Sequence, residues 1–132
     1  VRAYLATGYR LSHTKQDIVL TIGQHSKRLA ALFVSHNVNC GAFLTAFNPL
    51  GTMQSDAAND KAHAQLLTRL QELSLKTIEG LGSEAGSVWP AEKSYFALGL
   101  PLEHAKEMGS HFKQDAIAWV SFDAIPQLIL LR

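Results

Sequence analysis

The chain has 132 residues, of which 47% are hydrophobic and 17% charged, which is typical of one globular domain and unlike a disordered or fibrous chain. Lysine and arginine number 12 against 11 aspartates and glutamates, and this balance argues against broad binding to nucleic acid or to a membrane surface, both of which need a basic excess. The single cysteine, Cys40, excludes an internal disulfide and agrees with a reducing, cytoplasmic compartment, and no stretch approaches the roughly 18 apolar residues of a membrane span.

The first third of the chain predicts two strands followed by a helix. Strands are predicted over residues 7–12 and 17–23, because Ile18, Leu20 and Ile22 recur at the two-residue period of a pleated strand. Ser26 supplies the side-chain oxygen favoured at a helix N-terminus, which predicts a helix from there to about residue 36.

The middle of the chain predicts a buried strand and then the longest helix. The strand covers residues 42–47 and ends at Asn48-Pro49, because proline lacks the amide that would continue it. The helix begins at Ser55 or Asp56 and runs to about residue 73.

Asn59 is the main anomaly of that helix. At 100° per residue it lies within about 20° of Leu66, on the buried face. An inward amide needs hydrogen-bond partners, since leaving one unsatisfied costs about 1–3 kcal/mol. The sequence therefore predicts a buried polar contact at Asn59.

The last part of the chain predicts strands on both sides of one more helix, which begins at Pro101. The predicted strands cover residues 75–79, 93–99, 116–121 and 127–131, with a loop over residues 80–91. The element order is ββαβαββαββ. It predicts a single α+β domain over residues 1–132, with a mixed β-sheet and about three helices packed mainly on one face.

Several segments together are similar to a known protein family. In chain order they are residues 3–9, 22–23, Ser26, 42–49, Asn59, 89–90, Glu92, Ser94, Phe112, Gln114, Ala116 and Ile117. On these residues the chain resembles the bacterial family called domain of unknown function 3293, and residues 42–49 are the most specific part. Phe47 stands where the family usually has tryptophan, and Asp115 where it usually has asparagine. The resemblance implies the fold and no established activity.

Eight residues at or near predicted strand ends, most of them polar, form the candidate binding site. They are Gly23, Ser26, Asn48, Asn59, Trp89, Glu92, Ser94 and Gln114. If these strand ends converge, we expect a pocket for a small polar or anionic ligand, with the anion on amides near Ser26 and with Trp89 stacking on the ligand. A purely structural role is the alternative, in which Asn48 builds its turn, Asn59 ties that turn to the helix, and Glu92 caps or bridges.

Two other functions stay open at this point. One is a small hydrolase or transferase, with Glu92 as the general base and with Asn48 and Asn59 orienting the substrate. The other is a protein-interaction or regulatory subunit that works through an exposed sheet edge or through residues 128–131, including as a homo-oligomer. Standard catalytic and nucleotide-binding motifs do not occur, and the six histidines lack the spacing of a metal site. We therefore expect no cofactor or metal.

Overall fold

The computed structural model describes residues 7–12, 17–84 and 91–132. Within these residues the strands and helices follow one another in the predicted order ββαβαββαββ. They are β1 (Thr7–Leu11), β2 (Ile18–Leu20), α1 (Lys27–Ser35), β3 (Gly41–Thr45), α2 (Asp56–Glu72), β4 (Lys76–Glu84), β5 (Glu92–Leu98), α3 (Leu102–His111), β6 (Ala116–Val120) and β7 (Pro126–Leu130). A 3₁₀ turn at Pro49–Gly51 follows β3. None of the described helices has the length and apolar character needed to cross a bilayer.

The described strands form one sheet in the spatial order β2-β1-β4-β5-β3-β6-β7, and each neighbouring pair is antiparallel. Helix α2 joins β3 to β4, which run in the same direction, but the antiparallel β5 lies between them. Helix α3 likewise joins β5 to β6, with β3 between them. The helices connect strands that run in the same direction, but β5 and β3 lie between those strands. Every neighbouring pair in the sheet is therefore antiparallel.

Side chains of β3 alternate between two hydrophobic cores, as strand geometry requires. Phe43 points into the core that also contains Leu29, Leu32 and Phe33 of α1. Ala42 and Leu44 point into the second core, on the opposite face. That core contains Leu66 and Leu70 of α2 and Ala105, Met108 and Phe112 of α3. Two helices therefore cover one face of the sheet and α1 covers the other.

The sheet curls, so that the segment after one edge strand meets the segment before the other. The amide of Gly23, after β2, donates to the carbonyl of Pro126 at 2.8 Å, and the amide of Ser26 donates to the carbonyl of Ala124 at 3.0 Å. This contact closes the sheet around α1 and fixes where the Gly23–Ser26 segment lies.

The predicted α+β class and element order are confirmed, as are the N-terminal caps of α1 and α2. The hydroxyl of Ser26 accepts from the Leu29 amide, and the hydroxyl of Ser55 accepts from the Ala58 amide. One detail differs from the prediction: the sheet is antiparallel instead of mixed. The helices divide two to one between its faces, in agreement with the predicted packing mainly on one face.

A further difference is that β4 extends from Lys76 to Glu84, into the predicted loop. Gly80, taken as a loop glycine, lies inside the strand. A Cβ atom there would lie 2.8 Å from Cε2 of Phe43 and 2.9 Å from the carbonyl oxygen of Arg10. The glycine therefore provides space for the Phe43 ring, and it does not end the strand.

Candidate functional site

The turn that follows β3 has an unusual backbone. Asn48, Leu50 and Gly51 all have positive φ angles, of 47°, 61° and 69°. Glycine and, less readily, asparagine tolerate this left-handed region, whereas leucine is strained there. The turn is secured by the Leu50 amide, which donates to the carbonyl of Lys113 at 2.8 Å. Strained backbone of this kind persists only where the surrounding structure holds it in place.

A network of three side-chain amides holds the same turn. The Asn48 backbone amide donates to Oδ1 of Asn59 at 2.9 Å, and Nδ2 of Asn59 donates to Oδ1 of Asn48 at 3.0 Å. Gln54 adds a bond to each oxygen: its backbone amide donates to Oδ1 of Asn48 at 3.0 Å, and its Nε2 donates to Oδ1 of Asn59 at 2.8 Å. Asn48 is 8% exposed and Asn59 5%. Each asparagine oxygen accepts two bonds, so the acceptor capacity of both oxygens is used inside the network.

Glu92 is the charged member of the cluster. Nδ2 of Asn48 donates to Oε2 of Glu92 at 2.7 Å, and among the described residues no donor contacts Oε1. Burial raises the pKa of Glu92 above its ordinary value, while the hydrogen bond from Asn48 acts in the opposite direction. Within the described residues no cation lies within salt-bridge distance of this carboxyl group. The arrangement is a half-buried, oriented carboxyl group with one oxygen free.

Ser94 and Gln114 join the cluster, and both are committed to main-chain contacts. Ser94 is fully buried, and its hydroxyl donates to the Glu92 carbonyl at 3.0 Å. Nε2 of Gln114 donates to the carbonyls of Phe47 at 3.0 Å and Phe112 at 3.2 Å. The Ser94 bond stays within the start of β5, whereas Gln114 connects the residues that follow β3 and α3. The structure therefore brings together five of the predicted site residues: Asn48, Asn59, Glu92, Ser94 and Gln114.

Gly23 and Ser26 lie apart from this cluster. Their amides are used by the carbonyls of Pro126 and Ala124, at the end of β7 opposite to the end that lies near Asn48. The curl of the sheet is the reason, because it carries the segment after β2 toward the start of β7. These two amides are therefore not available to the anion that was expected on amides near Ser26. Trp89 lies outside the described residues.

Sequence reasoning missed two residues next to the cluster. Gln54 precedes the cap of α2 and carries no pattern that distinguishes it from an ordinary loop residue. His63 lies one helical turn after Asn59, on the same face, and its ring stacks on Tyr95 with centroids 4.4 Å apart. Nδ1 of His63 is buried without a hydrogen-bond partner. Burial, with a smaller contribution from Lys93, lowers the pKa of His63 below its ordinary value.

Comparison with known proteins gives one match. A protein-family profile described as "Protein of unknown function (DUF3293)" matches residues 44–117, more than half of the chain. The matched segment contains the turn at Asn48, the whole of α2, and Glu92. No curated protein and no solved structure matches the chain.

Proposed function

The chain belongs to the DUF3293 family, whose description assigns no function, and from the geometry of the cluster we propose that it is a binding module for a small polar ligand. Glu92 is the observation that supports this proposal most directly. Its carboxyl group is oriented by Asn48 at 2.7 Å and has one oxygen without a donor from the described residues. Within the described residues Oε1 is not a buried unbonded atom, so it is open to solvent and to a hydrogen-bond donor of a ligand.

The turn beside Glu92 provides apolar surface for the same ligand. Leu50 is 48% exposed and Met53 is 55% exposed, and both belong to the segment that the asparagine network holds. Small-molecule sites usually combine apolar side chains with a few oriented polar groups, and the exposed apolar residues of this turn beside Glu92 match that composition. The left-handed backbone at Asn48 and Leu50 supports the proposal as well, because strain of this kind concentrates at binding sites.

Hydrogen-bond donors are the chemistry we propose for the ligand, as an amine or as hydroxyl groups. A carboxylate accepts from such groups and repels anions. The amides of Gly23 and Ser26, which an anionic group was expected to use, already donate to main-chain carbonyls. Of the two ligand classes expected from the sequence, the polar one is therefore favoured over the anionic one.

A second candidate is a small hydrolase or transferase in which Glu92 acts as the general base. The raised pKa of Glu92 favours this candidate, because a carboxyl group that titrates closer to neutral pH is a better proton acceptor and donor in catalysis. Turnover of a ligand by the wild-type protein, lost in Glu92→Gln, distinguishes this enzyme from a binding module. Binding without turnover favours the module.

We propose further that the protein works in the cytoplasm. The chain has one cysteine, Cys40, and so forms no internal disulfide, which agrees with a reducing compartment. Fractionation of cells that produce the full-length protein, with detection by antibody, tests the location. Recovery outside the cytoplasmic fraction contradicts it.

A thermal-shift screen tests the binding proposal. The ligands are amines, amino acids, sugars and nucleosides, and the proteins are the wild type, Glu92→Gln and the matched control Glu107→Gln, which alters an exposed glutamate of α3. A ligand at 100 times its dissociation constant adds about 2.7 kcal/mol, a shift of several degrees. We expect a ligand that stabilises the wild type and the control and leaves Glu92→Gln unchanged. A ligand that stabilises all three equally contradicts the proposed site.

A further inference from the structure

Among the described strands, β7 leaves part of one edge of the sheet unpaired. It pairs with β6 in the register Ile117↔Ile129, and the Leu131 amide donates to the carbonyl of Asp115 at 2.8 Å. Since main-chain groups alternate in direction along an antiparallel strand, Ile129 and Leu131 bond toward β6. The amides and carbonyls of Leu128 and Leu130 consequently point away from the sheet.

The other half of this edge is already covered. Pro126 has the same outward direction as Leu128 and Leu130, it has no amide to offer, and its carbonyl accepts from Gly23 at 2.8 Å. The curl of the sheet thus protects the start of β7. The unpaired part is short and has a defined register, with Leu128 and Leu130 on either side of Ile129.

The composition of this free edge is unusual for an exposed strand. No charged residue occurs from Pro126 to Leu131, and the Leu130 side chain is 52% exposed. Proteins usually protect sheet edges with charged side chains, short strands or proline. The opposite edge follows that rule: β2 has three residues, and next to it Asp17 forms an exposed ion pair with Arg10 at 3.7 Å.

We propose that β7 pairs with β7 of a second copy of the chain, antiparallel, about a two-fold axis at Ile129. Leu128 then lies opposite Leu130 of the partner subunit, and the same pair recurs on the other side of the axis. Each of these two pairs exchanges an amide–carbonyl bond in both directions. The result is an isologous dimer with one sheet continuous through both subunits.

Self-complementarity is the reason to assign a second copy of the chain as the partner. In this register leucine faces leucine in the pairs next to the axis and isoleucine faces isoleucine at the axis, so these three central contacts are aliphatic, which stabilises strand pairing. The net charge of +1 gives little repulsion between copies. The proposal is independent of the ligand proposed for Glu92, because it uses only the edge of β7.

The test measures the mass in solution by sedimentation equilibrium, across protein concentrations up to the solubility limit. The wild type is expected to reach twice the monomer mass of 14.4 kDa. Leu130→Pro removes an amide that points away from β6, and so should give monomers without breaking a bond within the subunit. Leu130→Lys places a charge at the same position and is expected to weaken the dimer at least about tenfold.

Val34→Lys is the matched control, because Val34 is an exposed aliphatic residue of α1, and its mass should equal that of the wild type. Circular dichroism checks that each variant is folded, and Leu130→Lys gives the answer if Leu130→Pro does not fold. A wild type that stays monomeric at every concentration overturns the proposal. So does a folded Leu130→Lys that dimerises as tightly as the wild type.

Discussion

Asn59→Ala tests whether the asparagine network holds the turn after β3. The substitution removes both bonds between Asn59 and Asn48, and also the bond from Gln54. The Asn48 backbone amide then loses its acceptor inside the protein. Oδ1 of Asn48 keeps the bond from the Gln54 amide, and Nε2 of Gln54 is partly buried and reaches water at little cost.

The expected loss follows from these contacts. An amide left unsatisfied in a buried place costs about 1–3 kcal/mol, and the loss of one further hydrogen bond costs about 0.5–1.5 kcal/mol. Alanine is a better helix former than asparagine, and this difference offsets about 0.5 kcal/mol of the stability loss. The free energy of unfolding should therefore fall by about 1–4 kcal/mol.

Urea unfolding followed by circular dichroism measures that change. Asn39→Ala is the control, since Asn39 is exposed and its substitution should change stability by less than about 0.5 kcal/mol. A loss below about 0.5 kcal/mol for Asn59→Ala would refute the reasoning, because it would mean that the network does not hold the turn.

Three further substitutions give distinct outcomes. Burial raises the pKa of Glu92 above its ordinary value of 4.5, so the free energy of unfolding falls as the pH rises from 4.5 through the folded-state pKa. Glu92→Gln should therefore be more stable than the wild type in urea unfolding at pH 7. Equal stability of the two proteins would contradict this. The pKa of His63 is lowered from 6.5, so the wild type should lose stability as pH falls below that value. His63→Phe keeps a ring against Tyr95 and removes the buried Nδ1, and its melting temperature should depend less on pH; an unchanged pH profile would count against this. Gly80→Ala places a Cβ atom 2.8 Å from Cε2 of Phe43, and the free energy of unfolding measured in urea should fall by about 1–3 kcal/mol. A variant as stable as the wild type would show that the strand has room for the Cβ atom.

Much of the fold could be predicted because local signals agree with the final structure. The caps at Ser26 and Ser55 each depend on neighbouring residues alone. Strand β3 ends at Thr45, before the predicted stop at Asn48-Pro49. The extension of β4 could not be predicted, because the space that Gly80 leaves for Phe43 is a contact between distant strands. The antiparallel order of the sheet was missed for a similar reason, since it depends on β5 and β3 inserting between strands joined by helices.

In the candidate site, too, local features could be predicted from the sequence and long-range contacts could not. The inward position of Asn59 follows from helix geometry within one element. The bond between Asn48 and Glu92 joins residues 44 positions apart, and from the sequence it was expected only if the strand ends converge. Gly23 and Ser26 were placed in the wrong cluster because the curl of the sheet has no signature in either segment.

The most direct test of the central claim is an NMR titration with the ligand that the thermal-shift screen identifies. The signals to follow are the side-chain carboxyl carbon of Glu92 and the side-chain amide of Asn48, with the carboxyl carbon of Glu107 as the reference. We predict that the Glu92 and Asn48 signals shift together and reach saturation at the concentration at which stabilisation does, while Glu107 stays unchanged. Saturable binding that leaves the Glu92 and Asn48 signals where they were would contradict the account.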